Sequence, residues 1–338
     1  MPPRALCRTD DGSWSEVDDL GEILRLRRDP ATSIWIESDV SGMSADEMRA
    51  LAGEFEIDPL AVEDAESPRQ RPKLEPYPGH LLVVVHQLDE DEDDQLEPRQ
   101  VAAFVGAGFV VLLHHRATRL VDDMRRRVEA LGTAEASTDR LLHVIVDAAV
   151  DQDEAIANRI AEEVEDMEDE ALELAKRRER RPDRRLPPHH WPSQYRLYTL
   201  KQQMAALRRY ALPLGSALER RRAGEEHDPE DEIERLFRDV HDHVIRLAAD
   251  LRNSEELTDG VLELVRSVQA DTLNETNKKL TAWAAIVAAP ALIVGLYGIN
   301  YRLLPDHSLG QWGFVLVIAL MALASGLLYV SFRRRDWL

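Results

Sequence analysis

Two groups of residues in this sequence carry atoms suited to cation chemistry. The first is Gly298, Ile299 and Asn300. Asn300 offers a side-chain carbonyl, and Gly298 a backbone carbonyl that no side chain shields. A hydrated divalent ion, magnesium above all, holds its inner waters tightly. Neutral oxygens can hydrogen-bond to that shell without stripping it, and rings of such oxygens from several subunits make filters of the kind used in channels. Gly and Asn are also common at helix C-caps, so these residues can equally end a helix, and both roles can coexist. The second group is a stripe. Asn274, Asn277, Leu280, Ala284, Ala288, Ala291 and Gly295 recur at steps of three or four and share one helix face. The stripe is polar at one end, then a leucine, then small residues. Small residues suit close helix packing as well as they suit a pore wall.

These residues need a membrane helix to position them, and the sequence supplies two. No residue is charged from Leu280 to Tyr301, and none from Ser308 to Phe332. Each run reaches the roughly twenty residues that span the hydrocarbon as a helix. Only Tyr301 to His307, with Arg302 and Asp306, separates them, so the two spans form a tight hairpin with both flanks on one side. Lys278 and Lys279 precede the first span, and Arg333, Arg334 and Arg335 follow the second. The positive-inside rule places both ends in the cytoplasm and the loop outside. Trp312 and Tyr301 stand where interfacial aromatics are expected. Pro290 lies mid-span and can bend the helix.

The rest of the chain is polar. It has 338 residues, 63 acidic and 42 basic, for a net charge of −21. That field repels nucleic acid and attracts cations. The single cysteine, Cys7, allows no disulfide within the chain, and the N-terminus lacks the apolar core of a signal peptide. Ser33 to Glu37 reads as a strand, and Ser44 to Phe55 as a helix with a capping box between Ser44 and Glu47. His80 to His86 and Val101 to Leu113 read as strands, the latter with a turn at Gly106 and Gly108. Between them runs an acidic stretch, Asp89 to Asp94, read as solvated surface. From Thr138 the pattern turns helical, with Leu141, Leu142, Ile145, Ala148 and Ala149 at helical spacing. Prolines between Arg181 and Pro192 mark a loop, and a second helix follows from Ser193 to Arg222. Asp228 and Pro229 open a third, which nothing stops before about Tyr297. The expected architecture is an α+β membrane protein. An N-terminal cytoplasmic α/β domain covers residues 1–135, a helical stalk 136–279, and a two-helix transmembrane pore domain 280–338.

Histidine supplies little at this level. His241 and His243 flank Asp242, but a spacing of two puts them on different helix faces, which argues against zinc. His114 with His115, and His189 with His190, read as ordinary. No nucleophile motif, Gly-rich phosphate loop or Cys/His cluster supports an enzyme.

Six segments resemble one family in the right order. Gly295 to Asn300, followed by Tyr301 to Asp306, resembles the signature of the CorA family of magnesium transporters, in which Tyr-Gly-Met-Asn closes the first membrane helix. Ile57 to Asp64 and Arg71 to Tyr77 are similar to the family's segment before its Arg-Pro-Lys motif and to that motif. Phe237 to His243 is similar to the start of the stalk helix, Asn274 to Thr281 to the entry into the membrane, and Arg333 to Leu338 to the basic tail. The departures are Ile299 for methionine, Asn277 for a pore-facing methionine and Ala291 for threonine. The related zinc-transporting ZntB branch also has a non-methionine aliphatic residue in the tripeptide. The tyrosine before Gly298 and the Pro-Asp of the loop lean toward the magnesium branch.

The resemblance implies a homopentamer whose selectivity filter is Gly298, Ile299 and Asn300, whose pore is lined by the stripe, and whose constriction is Leu280. It also implies a cytoplasmic metal site between subunits at Asp64 and Asp239, with Asp147 and Glu63 as further ligands. Magnesium would be both cargo and regulatory ligand, with no resident cofactor, and cobalt, nickel or zinc would be other cargoes. Its partners would be divalent cations, membrane lipid and its own copies, with no nucleic acid. A membrane-tethered scaffold or sensor is the reading from another class.

Overall fold

The computed structural model describes residues 4–8, 14–17, 20–27, 33–40, 43–67, 70–115, 118–131, 137–180, 192–224, 231–298, 311–335 and 337. The chain forms two compact units, Met1–Leu174 with Asp183–Val261, and Ala175–Pro182 with Leu262–Leu338.

In the first unit a seven-stranded sheet is the organising element. Its strands are β1 (Arg4–Arg8), β2 (Trp14–Val17), β3 (Ile34–Asp39), β4 (Lys73–Tyr77), β5 (His80–Glu90), β6 (Leu96–Gly106) and β7 (Phe109–His114), in the order β2-β1-β3-β7-β6-β5-β4. Only β3 and β7 pair in parallel; the other pairs are antiparallel. Alternate residues of each strand serve opposite faces. Trp35, Val83, Val85, Val110 and Leu112 enter one core, and Ile34, Ile36, Leu82, Val84, Val111 and Leu113 the other. Each such aliphatic side chain, fully buried, contributes about 1.5–3 kcal/mol.

Helices cover both faces. On the second face lie α1 (Leu20–Leu26), α2 (Ala45–Glu54) and α3 (Pro59–Glu66). α2 carries the expected capping box: Glu47 N–H donates to Ser44 Oγ, and Ser44 N–H to Glu47. α3 starts where Asp58 accepts from Leu60 N–H at 2.8 Å with Pro59 in the first turn, and this cap sets the position of Asp64. On the first face lie α4 (Arg119–Glu129), α5 (Thr138–Arg180), α6 (Gln194–Gly224) and α7 (Glu232–Gly298). At Gly215 a Cβ would stand 2.8 Å from Val244 Cγ1, so the lack of a side chain there lets α6 approach α7.

The stretch read as one strand with a turn, Val101 to Leu113, is a hairpin of β6 and β7 in which Gly108 takes φ of 76°. The acidic stretch continues β5 to Glu90 and then turns. Asp91 Oδ1 accepts from the N–H groups of Asp93 and Gln95. Arg99 and Arg119 hold Asp89, Arg159 holds Glu90, and Arg196 holds Asp94. The run is therefore a charge-compensated turn as well as surface. Asp228, Pro229 and the loop from Arg181 to Trp191 lie outside the described residues.

The second unit contains the end of α5, α7 from Leu262 onward and α8 (Gln311–Arg334). Arg178 donates to the Val268 carbonyl at 2.7 Å and to Thr272 Oγ1, pinning α7 just before the stripe begins. α7 and α8 are each long and apolar enough to cross a membrane.

Candidate ion pathway and metal-binding side chains

The stripe lies on one continuous helix. Asn274, Asn277, Leu280, Ala284, Ala288, Ala291 and Gly295 are all exposed, and a Cβ at Gly295 would meet nothing within 4 Å. Ala282 is fully buried, and Ala285, Ile286, Ala289 and Ile293 are half-buried. At 3.6 residues per turn these covered positions cluster on the side of α7 away from the stripe. The chain therefore covers one narrow face of its first apolar helix and leaves the rest exposed, the stripe together with Trp283, Val287, Leu292, Val294 and Leu296. On α8 the half-buried positions are Val317, Met321, Ala324, Ser325, Leu328 and Phe332, again one face. α7 is helical through Gly298. Ile299, Asn300 and the loop with Arg302 and Asp306 lie outside the described residues.

The four carboxylates that the resemblance implies all lie among the described residues. Asp64, in the last turn of α3, accepts from Lys73 Nζ at 2.6 Å and from Gln70 Nε2 at 3.0 Å. Lys73 of β4 also reaches Glu75 at 2.5 Å. Burial pulls the Lys73 ammonium down, and the two carboxylates outweigh it, so its proton is held above the usual lysine range. The Arg-Pro-Lys segment thus supplies a cation to Asp64 from within the chain. Glu63 is exposed beside it. Asp239 stands on α7, largely exposed, with His243 Nε2 3.7 Å away. Asp147 on α5 accepts from Arg127 Nη1 at 2.7 Å and lies 3.9 Å from His143 Nε2. Burial pushes its carboxyl above the ordinary aspartate range against the pull of His143, with Asp151 adding to the rise.

One constellation is absent from the sequence reading. Asp151 and Glu154 of α5 and His243 of α7 each bring one ligand atom within 4.8 Å of the others. His243 Nδ1 is 3.0 Å from Glu154 Oε1, and Asp151 Oδ2 accepts from Arg127 Nη2 at 2.7 Å. Along α7 His243 and His241 stand on different faces, and the partner of His243, Glu154, comes from α5. The single signal was the Asp-x-x-Glu spacing of Asp151 and Glu154, which places both on one face of α5.

The family described as "CorA-like Mg2+ transporter protein" matches residues 31–334. The chain is 28% identical over 315 residues to the cobalt/magnesium transport protein CorA of Thermotoga maritima, covering 92% of this chain and 85% of that protein. It is 21% identical over 258 residues to the zinc transport protein ZntB of Yersinia enterocolitica, covering 75% of this chain and 73% of that protein. Its fold matches the complete CorA magnesium transporter from Methanocaldococcus jannaschii with a TM-score of 0.77 at 17% identity, covering 100% of this chain and 99% of that one. On a match that runs from β3 to the end of α8, the chain belongs to the CorA-like Mg2+ transporter family.

Proposed function

We propose that the chain is one subunit of a homopentameric membrane pore for divalent cations, with magnesium as the favoured cargo and cobalt and nickel as further ones. The family is one of transporters, which supports the class. The observation that carries the reading is the stripe on α7: seven small, amide or leucine residues in line on a helix whose surface its own chain leaves mostly uncovered. One helix cannot enclose a conduit, so copies of this face must converge. Leu280 then forms an apolar constriction that can dewet, and Gly298, Ile299 and Asn300 present oxygens to the hydrated ion at the outer mouth. Asp64 and Asp239, with Glu63 and Asp147, hold a regulatory divalent ion between neighbouring subunits. Magnesium is a hard cation that prefers such oxygen donors.

The protein resides in the cell inner membrane with both ends cytoplasmic. External thiol labelling should modify a cysteine placed at Ser308 and spare one at Ser13; the reverse pattern overturns the topology. The zinc reading draws on the similarity to ZntB. Purified protein in liposomes, with a magnesium or a zinc dye enclosed, separates the cases. Magnesium entry is expected. Zinc entry alone supports the zinc reading, and entry of neither leaves the scaffold.

A further inference from the structure

We infer that the basic end of α5, formed by Lys176, Arg177 and Arg180, is a docking surface for the headgroups of anionic phospholipids on the membrane face that α7 enters. Charge gives the first observation. The chain carries a net −21, yet in its second unit, Ala175–Pro182 with Leu262–Leu338, basic residues outnumber acidic ones. Part of that excess is the usual flanking of the spans by Lys278, Lys279 and Arg333 to Arg335. The rest sits on α5, which is not joined to a span, so the positive-inside pattern does not account for it.

Pairing gives the second. Elsewhere arginines of this acidic chain are held by carboxylates, Arg125 by Glu37, Arg196 by Glu163 and Arg221 by Glu234. At the end of α5 that changes. Lys176, Arg177 and Arg180 are exposed, and among the described residues Arg177 and Arg180 meet no carboxylate. Arg178 turns inward, to the Val268 carbonyl, Thr272 and Glu275. At about 100° per residue the other three stand roughly 100° or more round the helix from Arg178, away from α7. A helix C-terminus also attracts cations, and that attraction is indifferent to lipid.

Height gives the third. Thr272, which Arg178 touches, precedes the start of the uncharged run at Leu280 by about eight residues, roughly 12 Å along the helix axis. Lys176 to Arg180 all lie within about one turn of Arg178. Headgroups extend roughly 5–8 Å beyond the hydrocarbon on each side. The potential of an anionic surface persists about a further 8 Å at physiological ionic strength. Lysine and arginine also carry their charge on long flexible stems. The three side chains therefore fall inside the field of the surface. A basic cluster just outside a membrane helix suits anionic headgroups, and guanidinium pairs with phosphate oxygens through two parallel N–H donors.

The inference rests on the membrane location of α7 and α8 and not on the cargo. Full-length protein is placed in nanodiscs of phosphatidylcholine alone or of an equal mixture with phosphatidylglycerol, and amide hydrogen exchange is followed across residues 171–180. Exchange there should slow on the order of fivefold or more in the anionic discs, since each cation near such a surface contributes about fivefold. High salt should shrink the gain. Inorganic phosphate added to the phosphatidylcholine discs should not reproduce it. Lys176→Gln, Arg177→Gln and Arg180→Gln together should abolish the difference between the two lipids. If that variant fails to assemble, Arg177→Gln with Arg180→Gln decides, and should remove most of the difference. Equal exchange in the two lipids, a gain that free phosphate also gives, or a gain retained in the variants overturns the inference. Protection equal in both lipids but lost in the variants assigns the basic end to an acidic surface of a neighbouring subunit and overturns it too. Each of these failures leaves the divalent-cation reading in place, because uptake decides that reading separately.

Discussion

On the proposed regulatory role of Asp64, Lys73→Met should make transport more sensitive to inhibition by magnesium on the cytoplasmic side. In the single chain Asp64 is engaged by Lys73 at 2.6 Å, with side chains only 21% and 32% exposed. A divalent ion at Asp64 must therefore share that carboxylate with an ammonium and sit beside a like charge. Two unit charges about 4 Å apart interact by about 1 kcal/mol in water and by about 4 kcal/mol at an effective dielectric of about 20. The pair is partly open to solvent, and Glu75 competes for the same ammonium at 2.5 Å, so the lower part of that range applies. A release of roughly 1.4 kcal/mol corresponds to about tenfold in affinity. Inhibition of uptake or current by magnesium on the cytoplasmic side should thus set in at about one tenth of the parent's concentration. Lys73→Arg keeps the charge and should stay near the parent. Asp64→Asn combined with Asp239→Asn should blunt the response altogether. An unchanged inhibition range in Lys73→Met, with normal assembly, refutes the idea that Lys73 and a regulatory metal compete for Asp64.

Asn300→Ala should assemble normally yet lose most metal uptake in liposomes; normal uptake would remove it from the filter. Gly215→Val should lower stability by about 1–3 kcal/mol through overpacking, because even a Cβ there stands 2.8 Å from Val244 Cγ1, and a chemical melt that matches the parent would contradict that close approach. Asp153 is buried on α5 with Oδ1 unpartnered, and burial holds its carboxyl well above the usual aspartate range. The folded state then keeps a proton that the unfolded state releases, so stability falls as pH rises from the ordinary aspartate value toward the folded one. Asp153→Asn removes that loss, and its melting-temperature advantage over the parent should be larger at pH 8 than at pH 5; an equal advantage at both values counts against a protonated Asp153.

Much of this architecture was legible because its signals are local. The capping box from Ser44 to Glu47, the uncharged runs and the unbroken helical pattern into the membrane each lie within one stretch of chain, and α2, α7 and α8 follow them closely. The short pieces were not legible. β1, β2 and α1 have four to seven residues each, too few to establish a period. β4 was visible only as the Arg-Pro-Lys segment, since Pro76 speaks against a strand unless that strand is an edge, which it is. Pairings across elements were hidden for another reason. Lys73 meets Asp64, and His243 meets Glu154, only after separate elements pack, and no spacing along the chain encodes that contact.

The two borders of the sheet bear on how copies of this chain can meet. β4 carries Pro76, which has no N–H to offer, between the charged side chains of Lys73 and Glu75 and the hairpin at Gly79. β2, at the other border, is four residues long, with Ser15 and Glu16 turned to solvent. Such borders resist adding a strand from another molecule. A protein whose subunits must gather on a membrane at high local concentration during synthesis is exposed to strand-to-strand mispairing. These blunted margins work against that route.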